Sequence, residues 1–194
     1  MVSLNDINVL IIDNHDSFTY NIIQLIKQYH CRYTVIKNTE ITFDIIKNYT
    51  HILISPGPGL PTETINIKEI IKTYYATHSI LGICLGHQAI AECFGTSLIQ
   101  LTKPAHGIET EIKLDLSEPL FKNLPVKINV GRYHSWVIKN SSLNKDFKIT
   151  AKTADNIIMA ISHKMYKLKG IQFHPESIIT QHGNNIIKNW LTIV

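Results

Sequence analysis

Apolar residues in the first half of the chain fall into short unbroken runs separated by amphipathic stretches. Val9–Asp13, His51–Ser55 and Ser79–Ile83 are almost wholly apolar, the pattern of strands covered on both faces. Arg32–Lys37 reads as a further strand. Phe18–Tyr29 carries Ile22, Ile23, Leu25, Ile26 and Tyr29 at helical spacing, with Asp16 and Ser17 placed to cap it. Asn66–Tyr75 and Gly86–Phe94 also read as helices, and Ile41–Tyr49 as a weaker one. Pro56-Gly-Pro-Gly-Leu-Pro61 fits no helix or strand interior. Such alternation predicts right-handed crossovers and a parallel sheet.

The texture changes after Leu101. Glu109–Leu116, Val126–Val137, Phe147–Thr153, Ile157–Ser162 and Lys169–Phe173 read as strands, and Asn184–Ile193 as a closing helix. The expected fold is α/β: an open, mostly parallel twisted sheet with helices on both faces and an antiparallel extension. No repeat or linker interrupts the pattern, and 194 residues suit one domain over 1–194.

Composition narrows the function classes. Hydrophobic residues make up 44% and charged residues 18%, enough for a core and too apolar for disorder. The net charge of +4 is 19 − 15, and all the cations but Arg32 and Arg132 are scattered lysines. That reads as a solvated surface, not a nucleic-acid footprint. Cys31, Cys84 and Cys93 form neither a disulfide framework nor a zinc pattern, which favours a reducing compartment. No basic residue precedes Lys27, so no secretory or transit segment is expected. No apolar run approaches the roughly 18 to 20 residues of a membrane span. The expected location is the cytoplasm, or the plastid stroma, since the Ile- and Lys-rich composition fits an AT-rich organellar gene.

Three segments carry candidate chemistry. Gly82-Ile-Cys84-Leu-Gly86 lies between a buried strand and a helix. Its G-x-nucleophile-x-G pattern is that of an elbow in which glycines permit a sharp, strained turn. The turn would expose Cys84 at the carboxyl edge of the sheet, beside a helix N-terminus that favours a thiolate. An inert core cysteine between two packing glycines is the competing reading. Lys169-Gly-Ile-Gln-Phe-His174-Pro-Glu176 ends another predicted strand. Residues i and i+2 of an extended chain share a side, so Glu176 can orient His174 while the other imidazole nitrogen meets a thiol. A surface His–Glu pair is the plainer alternative. In Ser55-Pro-Gly57-Pro58-Gly59, backbone N–H groups can approach a ligand closely. The loop is either a plain turn or an oxyanion hole completed by the N–H of Leu85. A thiol of pKa about 8.5 is roughly 3% ionised at pH 7, so full activation gains about 30-fold. One oxyanion donor is worth about 10²–10³. The inferred class is acyl transfer from an amide or ester through a thioester.

Together, Gly82-Ile-Cys-Leu-Gly-His-Gln88, Ser55-Pro-Gly-Pro-Gly59 and Gln172-Phe-His-Pro-Glu-Ser177 resemble the triad-type, class I glutamine amidotransferases. Asp13-Asn-His-Asp-Ser-Phe-Thr-Tyr-Asn21 and Arg132-Tyr-His-Ser135 resemble the small subunits of anthranilate synthase and aminodeoxychorismate synthase. The likeness runs from about Val9 to the C-terminus. It implies hydrolysis of glutamine to glutamate and ammonia, with Cys84 as nucleophile, His174 as base and acid, and Glu176 as orienter. It implies oxyanion roles for Gly57 and Leu85, and glutamine-binding positions in Pro58, Gly59, Gln88, Ser135 and Trp136. It implies no cofactor, no metal, no nucleic acid and no membrane. It also implies a separate, larger chorismate-binding synthase subunit that receives the ammonia, that of anthranilate synthase for tryptophan; the alternative is that of aminodeoxychorismate synthase for p-aminobenzoate and folate, or one chain serving both. A γ-glutamyl peptidase and a non-catalytic relic are the other classes considered. Trp136 stands where the family usually has Leu, Ile108 where it has Lys, and His15 where it has Tyr. Cys84 and His87 have C-x-x-H spacing without further zinc ligands. Cys31 and Cys93 read as packing residues, and His106 and His134 as residues of a site or an interface.

Overall fold

A computed structural model describes residues 4–193. Met1–Ser3 and Val194, which the N-terminal reading and the expected domain bounds include, lie outside the described residues. The strands are β1 (Asn8–Asp13), β2 (Arg32–Lys37), β3 (His51–Ile54), β4 (Ser79–Ile83), β5 (Leu98–Leu114), β6 (Lys127–Ile138), β7 (Phe147–Thr153), β8 (Ile158–His163) and β9 (Leu168–Ile171). They form one sheet in the order β2-β1-β3-β4-β9-β8-β7-β5-β6. The five strands from β2 to β9 pair in parallel, and β8, β7, β5 and β6 continue antiparallel.

Alternation along the parallel strands builds two cores. Val9, Ile11, Leu53, Leu81 and Ile83 face one side. There they pack with Ile22, Ile23 and Ile26 of α1 (Thr19–Lys27) and Ile186, Ile187 and Trp190 of α5 (Gly183–Thr192). Leu10, Ile12, Ile52, Ile54 and Ile80 face the other. Their partners are Ile46 of α2 (Phe43–Ile46), Ile67, Ile70 and Ile71 of α3 (Ile67–Tyr74), and Ala89 and Ile90 of α4 (Leu85–Cys93). With both faces covered, the strands lose the polar-apolar alternation of a half-exposed sheet. Because β9 pairs with β4 in register Gly82↔Gly170 and Ile83↔Ile171, the chain leaves both strands at one sheet edge.

Several expectations change in detail. The helix expected over Ile41–Tyr49 is the single turn α2. The N-cap of α1 is Phe18, without a side-chain cap; Asp16 Oδ1 accepts from Phe18 N at 2.7 Å just before it. The strand expected from Glu109 starts at Leu98, with register breaks between Gln100 and Ala105 and between His106 and Ile108. The cations read as a solvated surface include two buried ones, Arg132 and Lys169. Among the described residues no helix is long and apolar enough to cross a membrane.

Candidate active site

The turn between β4 and α4 is drawn tight by contact. A Cβ on Gly82 would lie 2.4 Å from the carbonyl atoms of Gly86, and one on Gly86 would lie 2.6 Å from the carbonyl oxygen of Ile54. Any side chain there would push the helix off the strand. Between them Cys84 adopts φ 52°, ψ −98°, a conformation costing about 1–3 kcal/mol that persists only where its surroundings enforce it. Its N–H donates to Ile171 O of β9 at 2.8 Å, fixing the turn to the segment that carries His174.

His174 N donates to Gly131 O at 3.1 Å, and Thr180 Oγ1 donates to His174 O at 2.6 Å, so both sides of this peptide are anchored. The imidazole Nδ1 lies 2.6 Å from Glu176 Oε1. Tyr133 meets the ring at a centroid distance of 4.9 Å in T-shaped contact. Burial opposes a positive charge on His174, but the Cys84 sulfur and the Glu176 carboxylate outweigh it and push the imidazole pKa up to about 10. The Nε2 atom has no hydrogen-bond partner. The ring is thus bonded to the carboxylate through Nδ1 and lies near enough to the sulfur for Cys84 to favour its charge, with Nε2 free, the order of nucleophile, base and orienter.

A cavity of about 250 Å³ opens over Cys84. It is lined by Gly57, Pro58, Gly59, Leu85, Gln88, Ser135 and Trp136, all expected from sequence, and by His106, Tyr133 and His134. The glycine loop is held from β1: Asn14 N donates to Ser55 Oγ at 2.9 Å and Asn14 Nδ2 to Ser55 O at 3.0 Å. Gly57 fits only as glycine, since a Cβ would stand 2.7 Å from both Asn14 Cβ and Leu85 Cδ2. Leu85 is the first residue of α4, so its N–H belongs to the helix-initial donors without an intrahelical acceptor. Gln88 Nε2 donates to Trp136 O at 2.9 Å and to Gln172 Oε1 at 3.2 Å, which leaves its amide oxygen to accept from a ligand. Gln172 Nε2 in turn lies 3.6 Å from Cys84 Sγ.

Two buried histidines are held neutral. Burial, with Arg132 adjacent, takes His134 down to about 3, and burial takes His87 to about 3. His87 packs behind the sheet against Gly170 whereas Cys84 faces the cavity, so the C-x-x-H pair points to opposite sides. Among the described residues no group of three or more His, Cys, Asp or Glu side chains could hold a metal ion.

A family profile described as glutamine amidotransferase class-I matches residues 10–194. Anthranilate synthase component 2 of Porphyra purpurea is 45% identical over 188 residues, covering 94% of this chain and 98% of that protein. Aminodeoxychorismate/anthranilate synthase component 2 of Bacillus subtilis is 38% identical, covering 94% and 95%. A crystal structure titled "putative gmp synthase subunit a protein", from Thermoplasma acidophilum, superposes with a TM-score of 0.86 at 27% identity, covering 95% and 92%.

Proposed function

The chain belongs to the class-I glutamine amidotransferases, and on that premise we propose that it is the glutaminase component of anthranilate synthase. The observation that carries the chemistry is the paired His174 and Glu176, whose imidazole charge is favoured by Cys84, with Cys84 itself lining the cavity. The substrate is L-glutamine, whose amide end lies over Cys84 and whose amino-acid end reaches Ser135 and Trp136. A cavity of about 250 Å³ suits a molecule of that size. The whole chain, 1–194, acts as one amidotransferase domain.

The thiolate of Cys84 attacks the side-chain amide carbon. The resulting oxyanion is received by the N–H groups of Gly57 and Leu85. His174 Nε2 gives its proton to the leaving nitrogen, and ammonia departs from a γ-glutamyl thioester. Water then attacks the thioester while His174 takes its proton. Glutamate leaves, and the thiolate–imidazolium pair is restored. Glu176 keeps the proton-bearing Nδ1 fixed throughout.

The ammonia passes to a separate, chorismate-binding synthase chain. The names of the two relatives support this, since a component 2 implies a component 1. Identity of 45% with an anthranilate synthase component, against 27% with the structure titled as a GMP synthase subunit, supports the chorismate branch. The name of the Bacillus subtilis relative supports a second reading, that one chain serves both the anthranilate and the p-aminobenzoate synthases.

The test is mass spectrometry after treatment with a chloroketone analogue of glutamine, with chorismate and either synthase chain present or absent. A single adduct on Cys84, formed faster with the anthranilate-forming synthase, is expected. Acceleration by the p-aminobenzoate synthase alone would transfer the chain to that pathway. No adduct on folded protein would overturn the glutaminase reading.

A further inference from the structure

A second cavity, of about 350 Å³, is lined by residues of β5, by Arg132 of β6 and by Asp155 and Ile157. We propose that it binds a small organic carboxylate through the Arg132 guanidinium, and that occupancy is transmitted to the Cys84 site through His134. Arg132 is only 8% exposed. The single hydrogen bond of its side chain among the described residues runs from Nε to His134 Nε2 at 3.1 Å, and no carboxylate there stands within ion-pair distance. A guanidinium carries five donors, and a buried cation is stable only when paired. Burial indeed works against its charge, and Asp155, which lines the same cavity beyond ion-pair distance, acts the other way.

The walls choose the class of anion. Leu101, Pro104, Ala105, Ile108 and Ile157 are apolar, and Lys103 adds a second cation that offsets Asp155, so Arg132 leaves the lining net positive. A hydrated phosphate dianion would lose its shell against such walls. A monocarboxylate with an apolar body keeps its oxygens on the guanidinium fork and its body on the walls. The volume falls within the roughly 300–1,000 Å³ of small-molecule sites.

The connection to catalysis is a continuous chain of polar contacts. Because His134 Nε2 accepts from Arg132, the ring proton sits on Nδ1, which donates to Trp136 O at 3.1 Å. The same carbonyl accepts from Gln88 Nε2, which also reaches Gln172, and Gln172 reaches the Cys84 sulfur. An anion that draws the guanidinium toward the outer cavity therefore acts on the residues that shape the glutamine cavity. Binding stands on the outer cavity alone, whereas its effect on turnover rests on the glutaminase reading above.

Full-length protein with 15N-labelled Arg and His is titrated with benzoate, and in parallel with neutral benzamide. Glutamine KM is measured in the presence of the synthase chain. Saturable movement of the Arg132 Nε–H and His134 ring signals by benzoate only is expected, with a change of about fivefold or more in KM. Ile108, exposed and directly opposite Arg132 in the β5–β6 register, supplies a variant that keeps the fold. Ile108→Glu places a tethered carboxylate on Arg132 and should abolish the benzoate response. Unmoved signals, an equal response to benzamide, or a response surviving in Ile108→Glu would overturn the site. Moved signals with unchanged KM would overturn the coupling. Loss of the benzoate response on adding the synthase chain would overturn the small-molecule form and assign the carboxylate to that partner. Absence of any glutaminase activity would instead sink the parent reading and leave the titration informative.

Discussion

His174 Nδ1 stands 2.6 Å from Glu176 Oε1, and the two side chains are 3% and 0% exposed. Pro175 joins them, so the pair is a property of three consecutive residues held at one sheet edge. Glu176→Gln keeps an acceptor for Nδ1–H and removes the charge. Burial would then oppose the imidazolium with only the Cys84 sulfur against it, and the imidazole pKa should fall from about 10. The pH profile of Cys84 alkylation should move with it, and glutamine turnover should fall by about 10²–10⁴. The stability sign follows as well. A histidine raised above 6.5 contributes stability below that pH, lost as pH rises through about 10. The variant should be less stable than the parent at neutral pH and differ less above pH 10. An unchanged alkylation profile would remove Glu176 from the orienting role.

The φ of +52° at Cys84 puts function and stability in opposition. A Cβ is strained there whatever its substituent, and glycine is not. Strain relief of about 1–3 kcal/mol exceeds the roughly 0.5–1 kcal/mol that glycine loses in backbone entropy. Cys84→Gly should therefore be more stable than Cys84→Ala by about 1 kcal/mol, both being inactive. Denaturant midpoints of the two variants give the comparison, and an alanine variant equal or superior to glycine would show the turn to be unstrained.

Much of the site was legible because its parts are local in sequence. The elbow glycines sit two residues either side of Cys84, and the i, i+2 rule linked His174 to Glu176. What escaped depended on β5. Its first half alternates poorly, contains Pro104 and breaks register twice, so sequence pattern predicts the strand only from Glu109 and leaves His106 open between a site and an interface; the cavity wall is where it stands. Tyr133 has no predicted role and His134 only an open one, because their approach to the cavity depends on β6 pairing with that irregular strand. Nothing in the hydropathy separates Arg132 from the solvated cations, because burial of a cation leaves no mark on it.

Gln172 was within reach of the same i, i+2 rule, since it precedes His174 as His174 precedes Glu176. It is fully buried, accepts from Gln88 at 3.2 Å and lies with Nε2 3.6 Å from Cys84 Sγ. A donor to sulfur favours the anionic form. Gln172→Met keeps the volume and removes the donor. Turnover should fall about tenfold, the equivalent of roughly 1.4 kcal/mol for one such contact, with slower alkylation of Cys84 at neutral pH. An equal loss in turnover without a change in alkylation rate would assign Gln172 to holding Gln88 alone.

Away from the cavity, Glu118 joins the loop before β6 to β9. It is 1% exposed and pairs with Lys169, itself 6% exposed, and with Lys148. Burial raises the carboxyl pKa, but the two lysines overcome it and hold it below the ordinary 4.5. A depressed carboxyl contributes stability above its unfolded pKa and loses it as pH falls through the folded one. The protein should therefore lose part of its stability below about pH 4.5 through this group. Glu118→Gln strands Lys169 in the interior at a cost of about 3–5 kcal/mol, and that part of the acid dependence should vanish with it. The double replacement Glu118→Met with Lys169→Met removes both charges and should recover most of the loss at pH 7. Urea midpoints of the three proteins at pH 7 and pH 4 decide it. A single variant as stable as the parent at pH 7 would show that the pair holds nothing together.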